Sequence, residues 1–548
     1  MNKANDIPNK SNSSQPKVRL NRTFWAFSRK IWQNFWVGEP PDAILFFLAL
    51  ITSVVMAFPL VYVVWRSVFA GTDRWMRLLD SRIPMILQNT LSLTFMVTLL
   101  ATTIGVSLAF LVERCNIPGK KYWQWMLALP LVIPPYVGAV TYIIILGPRG
   151  WAYDLFGNSP LDIYSFWGVV FVLTMFTYPY VFLIASSAMK KMNANYEEAA
   201  KSLGMNTWGI LTKVNLPLLR PAIGAGAILI ALYVLSDFGA IAMLRYTTFT
   251  SAIYYQMGSY DNISATVLSL VLIVLTLGVL YLEGRTKRKQ KFHQVGSTFK
   301  KAEALDIKGL KVPGLIFILL VFTLSFVLPI IVLLYWSRQG IVAGALDQRF
   351  WQFAFNSVKV AGLAAMVSVV VSLPIVYLKS RYPSTFTKVI DKLSYSGYSL
   401  PGVIVALGLV FVFNRYIPML YNTFIIISVA YVIRFLPQCM QAGESSLSLL
   451  SPRIDEGARS LGYSPWKVLV RVILPLISPG VLAGGALVFV SSIKELPATL
   501  LLRPPGFDTL AVRIWVETSE SVYHLAAPAA LLIILISVIP LKWMLNKY

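Results

Sequence analysis

Apolar residues in this chain gather into long, nearly uncharged runs separated by shorter polar stretches. The runs fall near 43–65, 90–112, 125–147, 163–187, 222–244 and 262–282, and again near 313–337, 355–378, 396–414, 420–438, 479–502 and 525–541. Each is close to the roughly 20 residues that an α-helix needs to cross a bilayer core about 30 Å thick. Lipid offers no partner to backbone N–H and C=O groups, so such runs must be helical. The pattern predicts an all-α polytopic membrane protein with twelve transmembrane helices.

Composition supports that reading, with 57% hydrophobic and 13% charged residues against about 25% charged in soluble domains. Little of the 548 residues is left for an extended catalytic domain. A net charge of +24 would suit nucleic acid if the basic residues shared one soluble face, but they are scattered among short loops, so no nucleic-acid partner is expected. With the N-terminus in the cytoplasm, 34 of the 48 Lys and Arg fall on the cytoplasmic side and 11 outside, while Lys359, Arg434 and Lys494 lie within spans. The positive-inside rule fixes that orientation and places both termini in the cytoplasm. Residues 1–42 then form a cytoplasmic tail without the short apolar core of a secretory signal. Residues 284–312, rich in Arg285, Lys287, Arg288, Lys289 and Lys291, form a basic linker, a solvated topology determinant or, as the alternative, a contact with anionic lipid head groups. Cys115 and Cys439 offer neither a disulfide framework nor a paired metal motif.

The chain also repeats itself. Glu197 to Pro221 (EEAAKSLGMNTWGILTKVNLPLLRP) lies over Asp455 to Pro479 (DEGARSLGYSPWKVLVRVILPLISP) at a constant offset of 258. Asn89 matches Asn356 at 267, and Leu129-Pro130 resembles Leu400-Pro401 at 271. Six spans, an even number, separate the two copies, so both emerge on one face and the repeats are parallel. The first repeat covers 43–283 with a core of about 86–283, and the second 313–548 with a core of about 352–542.

Within each repeated loop a short helix is expected from Asn193 or Ser451 to a stop at Gly204 or Gly462, where a left-handed residue is favoured. Pro452 suits the first helical position of the second copy. A second helix should follow Asn206 or Ser464 and end before Pro217 or Pro475, with Trp208 and Leu211, or Trp466 and Leu469, making one apolar face. Gly457 stands where the first copy has Ala199 and should loosen its helix by about 0.5–1 kcal/mol. Such a loop presents a surface, since most helix connections run about 2–8 residues.

Glu198, Ala200 and Gly204, with Glu456, Ala458 and Gly462, resemble the EAA signature of bacterial binding-protein-dependent ABC importers. The resemblance implies the type I ABC importer permease fold, in the bacterial inner membrane. It also implies that Asn193 to Gly204 and Ser451 to Gly462 are coupling helices seated in clefts of ATPase subunits, with Glu197, Glu198, Ala200, Gly204, Asp455, Glu456, Ala458 and Gly462 as coupling residues. The expected partners are two copies of an ATP-binding subunit, an extracytoplasmic substrate-binding protein and membrane lipid. No GxxxxGK[ST] phosphate loop occurs, so the chain is not expected to be an enzyme or to bind a cofactor; ATP and Mg would be used by the partner subunits.

Ionisable residues within spans are costly and tend to face a bundle interior or a water-filled path. Asp237 and Glu495 match at the offset of 258, as do Arg245 and Arg503, and helix breakers Gly239 and Pro497 follow two residues after the acids. Two roles are open for the acids, lining the translocation pathway or forming structural bonds to a neighbouring helix, to Arg245 or to Arg503. Lys494 and Glu495 are helix neighbours that do not share a face. Paired carboxylates suit a hard cation; Lys359, Arg434 and Lys494 suit an anion. The segments Ser236 to Gln256 and Lys494 to Trp515 resemble the fused ferric-iron permeases of this superfamily, with thiamine, phosphonate, sulfate or polyamine importers as alternatives. Tyr246, Tyr254, Tyr255, Asp508 and Glu517 are expected near the outer mouth, the tyrosines as ordinary interfacial anchors, with service to iron or docking of a binding protein as the alternatives. His293 and His524 are isolated and suggest no metal site. A secondary transporter would explain parallel halves but not the twin loops, and no convergent nucleophile and base point to an enzyme.

Overall fold

The computed structural model describes residues 41–190, 192–288 and 311–547; the N-terminal tail to residue 40 and the linker from 289 to 310, with His293, lie outside them. Every regular element among the described residues is helical. Ten helices are long and apolar enough to cross a membrane, and two bent pairs bring the number to twelve. The pairs are Lys120–Val132 with Pro135–Phe156, bent by 90°, and Thr385–Tyr398 with Gly402–Tyr416, bent by 106°. Each is the third span of its half.

The bends correct the expected continuous runs at 125–147 and 396–414, and proline chemistry explains them. Proline lacks an N–H and crowds the preceding turn, so Pro134 and Pro401 adopt extended conformations (φ −60°, ψ 136° and φ −55°, ψ 141°) between helices. These two prolines are 267 apart, like Asn89 and Asn356, so they are the structural match rather than Leu129-Pro130 with Leu400-Pro401.

Small residues allow the spans to approach closely. A Cβ on Gly105 of the Ile83–Arg114 helix would stand 2.8 Å from the carbonyl of Tyr178, and one on Gly226 would stand 2.8 Å from Val181. The first helix of each half crosses to the other half. Ala43–Val68 packs on the Gln348–Arg381 and Gly402–Tyr416 helices, with Pro59 against Gly408 and Tyr62 against Phe411 at 5.9 Å. Reciprocally, Lys311–Val342 lies on the first half, where Trp123 meets Phe322 at 6.2 Å and Trp151 meets Tyr335 at 5.2 Å. A π-helical stretch at Thr323–Val327 frees the carbonyl of Leu324, which accepts the Tyr142 hydroxyl, while Tyr178 and Ser325 hydroxyls meet at 3.3 Å. The two apolar cores therefore each mix residues of both halves.

Candidate functional site

The twin loops end on short helices, Asn195–Ser202 and Arg453–Ser460. Both begin two residues later than the sequence suggests. Asn193 Oδ1 accepts the N–H of Asn195 at 3.1 Å and Ser451 Oγ that of Arg453 at 3.4 Å, so each forms a turn before the helix rather than its cap. Gly204 and Gly462 are left-handed, with φ of +76° and +87°. At the first, N–H groups of Gly204 and Met205 donate to the carbonyls of Lys201 and Ala200; at the second, Gly462 and Tyr463 donate to Arg459 and Ala458. This is the Schellman closure that a C′ glycine permits.

The following helices do not stop at Pro217 and Pro475. Thr207–Ile210 and Pro465–Val468 pass through π-helical stretches, Leu211–Asn215 and Leu469–Ile473, directly into spans Leu216–Ser236 and Leu474–Ile493. A π turn inserts one residue, so the missing proline N–H falls where the hydrogen-bond register is already interrupted. Leu469 is buried and Trp466 is partly exposed; Trp208 and Leu211 lie outside the described side chains.

The acidic residues of each loop helix divide their duties. Glu197 is buried and bonds Arg114 at the end of Ile83–Arg114. Asp455 is buried likewise and bonds Arg381 at 2.7 Å, whose Nη2 also donates to the carbonyl of Leu450 at 3.1 Å. Arg114 and Arg381 are themselves 267 apart, so the contact is duplicated. Glu198 and Glu456 stay exposed, while Ala200 and Ala458 are buried. Sequence reasoning missed Leu203 and Leu461, which are about four-fifths exposed (79% and 81%) at the loop tips. Their signal was present in the repeated SLG.

The two acids of the span interior come together. Asp237, Glu495, Arg434, Lys494, Tyr180 and Tyr233 line one cavity of about 300 Å³. Tyr180 lies ten residues before the end of Phe166–Lys190, about 15 Å along that helix, so the cavity is near mid-span. Each acid marks a helix break. The helix ending at Ser236 resumes at Gly239, and that ending at Ile493 resumes at Pro497. The breaks abut, since a Cβ on Gly239 would stand 2.8 Å from Tyr136 and 3.2 Å from Leu496.

Both acids satisfy the N–H groups that a new helix start leaves open. Asp237 Oδ1 accepts those of Ala240 and Ile241 at 3.1 and 3.2 Å, and Glu495 Oε1 that of Ala498 at 3.3 Å. The second oxygen of Glu495 bonds Arg434, while Asp237 makes no ion pair among the described residues. Neither acid joins Arg245 or Arg503. Arg245 lies over Tyr164 at 5.1 Å and Arg503 bonds Asp508. Gly402 makes room for the pair, because its Cβ would stand 2.4 Å from Glu495 Oε1 and 2.8 Å from Arg434 Nη1.

Lys494 lines the cavity too, and its Nζ donates to the carbonyl of Leu131 at 3.1 Å. Its helix already ends at Ile493, so the ideal-helix angle between Lys494 and Glu495 no longer separates them. Lys359 sits 4.0 Å from the Phe424 ring. Within the first break, Phe238 stacks on Trp515 at 5.2 Å and meets the tilted ring of Tyr254 at 4.6 Å. On the adjoining Leu510–Ser519 helix, burial pushes the Glu517 carboxyl above its ordinary range, with Arg513 opposing it.

Comparison with known proteins agrees with this construction. The family model for the binding-protein-dependent transport system inner membrane component matches twice, at residues 101–285 and 375–544, each match holding one loop and one break. The chain is 34% identical over 516 residues to the Fe(3+)-transport system permease protein FbpB 2 of Haemophilus influenzae, covering 93% of this chain and 99% of that one. It is 24% identical to the putative ferric transport system permease protein FbpB 1 of the same organism, covering 81% and 74%. Sulfate permease 2, chloroplastic, of Chlamydomonas reinhardtii matches at 27% over 37% of this chain and 56% of its own. With the family model matched in both halves and a relative aligned almost end to end, the chain belongs to the family of binding-protein-dependent transport system inner membrane components.

Proposed function

We propose that this chain is the complete membrane-spanning pathway of an ATP-driven importer for ferric iron. The observation that carries this reading is the near end-to-end identity of 34% to a permease named for Fe(3+) transport, joined to twin loops at one end of the bundle. An extracytoplasmic binding protein delivers the cargo. Two ATP-binding subunits, which use the ATP and Mg, engage Glu198, Leu203 and Gly204 in one repeat and Glu456, Leu461 and Gly462 in the other, with Ala200 and Ala458 buried beneath that surface. Glu197 and Asp455 serve coupling from inside the chain, by holding the loop helices to the span ends.

The loops and both termini face the cytoplasm, supported by the distribution of Lys and Arg. The repeats occupy 43–283 and 313–548, joined by the basic linker 284–312. Asp237 and Glu495 line the route; their meeting in one mid-span cavity supports this and is compatible with their helix-capping bonds.

The test is uptake of radiolabelled ferric iron by cells lacking this chain and cells in which it is restored, with sulfate, thiamine and phosphonate as competing cargoes. Iron uptake that returns with the chain and needs ATP supports the reading; restored sulfate uptake without iron uptake overturns it. Asp237→Asn and Glu495→Gln should each lower iron uptake and cargo-stimulated ATP hydrolysis, and unchanged values in both would leave the acids a structural role alone.

A further inference from the structure

The cavity has two unlike walls, which suggest in what form the cargo passes. The first repeat contributes oxygen atoms: Asp237 keeps one carboxylate oxygen outside its capping bonds, and the hydroxyls of Tyr180 and Tyr233 meet no hydrogen-bond partner among the described residues. Tyr136 adds a buried hydroxyl with no hydrogen-bond partner among the described residues. Carboxylate and phenol oxygens suit a hard metal ion.

The second repeat contributes both of the cavity's cations, Arg434 and Lys494, beside the carboxylate of Glu495. Lys494 has three N–H donors and one acceptor among the described residues, the carbonyl of Leu131. Arg434 has five donors, and its hydrogen-bond partner among the described residues is Glu495. Matched positions carry the contrast: Ser236, Phe176 and Tyr180 of the first repeat correspond to Lys494, Arg434 and Gln438 of the second.

A trivalent ion alone does not fit these walls. Arg434 already neutralises Glu495, and the charges of Asp237 and Lys494 offset each other, so the cavity offers no net negative charge. Among the described residues no group of three His, Cys, Asp or Glu side chains could hold a metal ion. The volume, about 300 Å³, lies at the lower end of small-molecule pockets, roughly 300–1,000 Å³. It suits a metal with a small companion better than one wrapped in a large organic chelator.

Resting on the ferric reading above, we propose that the cargo occupies this cavity as ferric iron together with a small polyoxyanion, a phosphate or a polycarboxylate. The metal faces Asp237, Tyr180 and Tyr233, and the oxyanion faces Lys494 and Arg434. The oxyanion supplies the negative charge that the walls lack and receives the donors that the walls leave open.

The test uses the whole assembly, this chain with its ATPase subunits and binding protein, in sealed vesicles. Radiolabelled iron is offered in two arms, one with labelled phosphate as the sole coordinating oxyanion and one with labelled citrate. Iron and anion should enter in a fixed ratio in at least one arm. Lys494→Met should cut that uptake at least tenfold, and Lys494→Arg should restore most of it. Iron entering in both arms without either label would overturn the proposal, as would full uptake by Lys494→Met. No iron entering in either arm would instead sink the ferric reading on which the proposal rests.

Discussion

Glu197→Gln is the substitution that most directly probes how the loops connect to the spans. It leaves the size of the side chain unchanged and removes one charge from a pair whose side chains are only 4% and 5% exposed, so the Arg114 cation is left buried without its counter-charge. Removing one partner of a buried pair costs about 3–5 kcal/mol. At roughly 1.4 kcal/mol per factor of ten, even the lower figure shifts the balance between docked and undocked loop about 100-fold. Local openings of this kind appear in amide hydrogen exchange. Exchange at Asn195–Ser202 should accelerate by that order while exchange in the Ile83–Arg114 helix does not. In vesicles the variant should still recruit its ATPase subunits, because Glu198 and Leu203 remain at the surface, yet transport per ATP should fall about tenfold. The reversed pair, Arg114→Glu with Glu197→Arg, should recover much of both. Exchange and coupling both within twofold of the parent in Glu197→Gln would refute the reasoning.

Gly402→Ala places a methyl group on the Glu495–Arg434 pair; overpacking of this kind costs about 1–3 kcal/mol, and iron uptake should drop while assembly on a sizing column is unchanged. Gly457→Ala should stabilise its loop helix by about 0.5–1 kcal/mol, since nothing lies within 4 Å of the added Cβ, and local exchange at Arg453–Ser460 should slow accordingly. Gly204→Pro with Gly462→Pro forces φ near −65° where the chain holds positive values. The double variant should insert normally but fail to transport, and full uptake would falsify the coupling role of the loops.

Much of this was legible in the sequence because it is periodic or local. Twelve apolar runs, two matched loops and a pair of acids at one offset can each be read within a short window. The left-handed glycines were legible for the same reason, as a helix stop needs only its own neighbours. What escaped depends on contacts between distant segments. The partner of Glu495 is Arg434, 61 positions away, and that of Glu197 is Arg114, 83 positions away; no spacing rule joins them. The continuation of the helices past Pro217 and Pro475 escaped because proline usually ends a helix, and only a π turn, invisible in composition, lets it follow without a broken bond. The bend of the third span is not legible because an apolar run says nothing of direction, and Leu129-Pro130 draws the match with Leu400-Pro401 that structurally belongs to Pro134.

The two halves agree closely at the twin loops and differ in the mid-span cavity, and their fusion in one chain explains how both can hold. The loop latches, the glycine closures and the helix breaks recur at matched positions of the two repeats. Inside the cavity the matched positions diverge: Ser236 against Lys494, Phe176 against Arg434, Tyr180 against Gln438, Tyr233 against Ser491. A homodimeric pore must present the same residue from both sides, so it cannot give one half cations that the other lacks. Two repeats on one chain are free to do so, and the crossed first helices keep the halves in register while they diverge. It follows that replacing Ser236 with Lys, which makes the walls alike, should harm iron uptake more than Ser236→Ala, although loop coupling and assembly stay intact. Equal uptake by the two variants would show that the difference between the walls does not matter to the cargo.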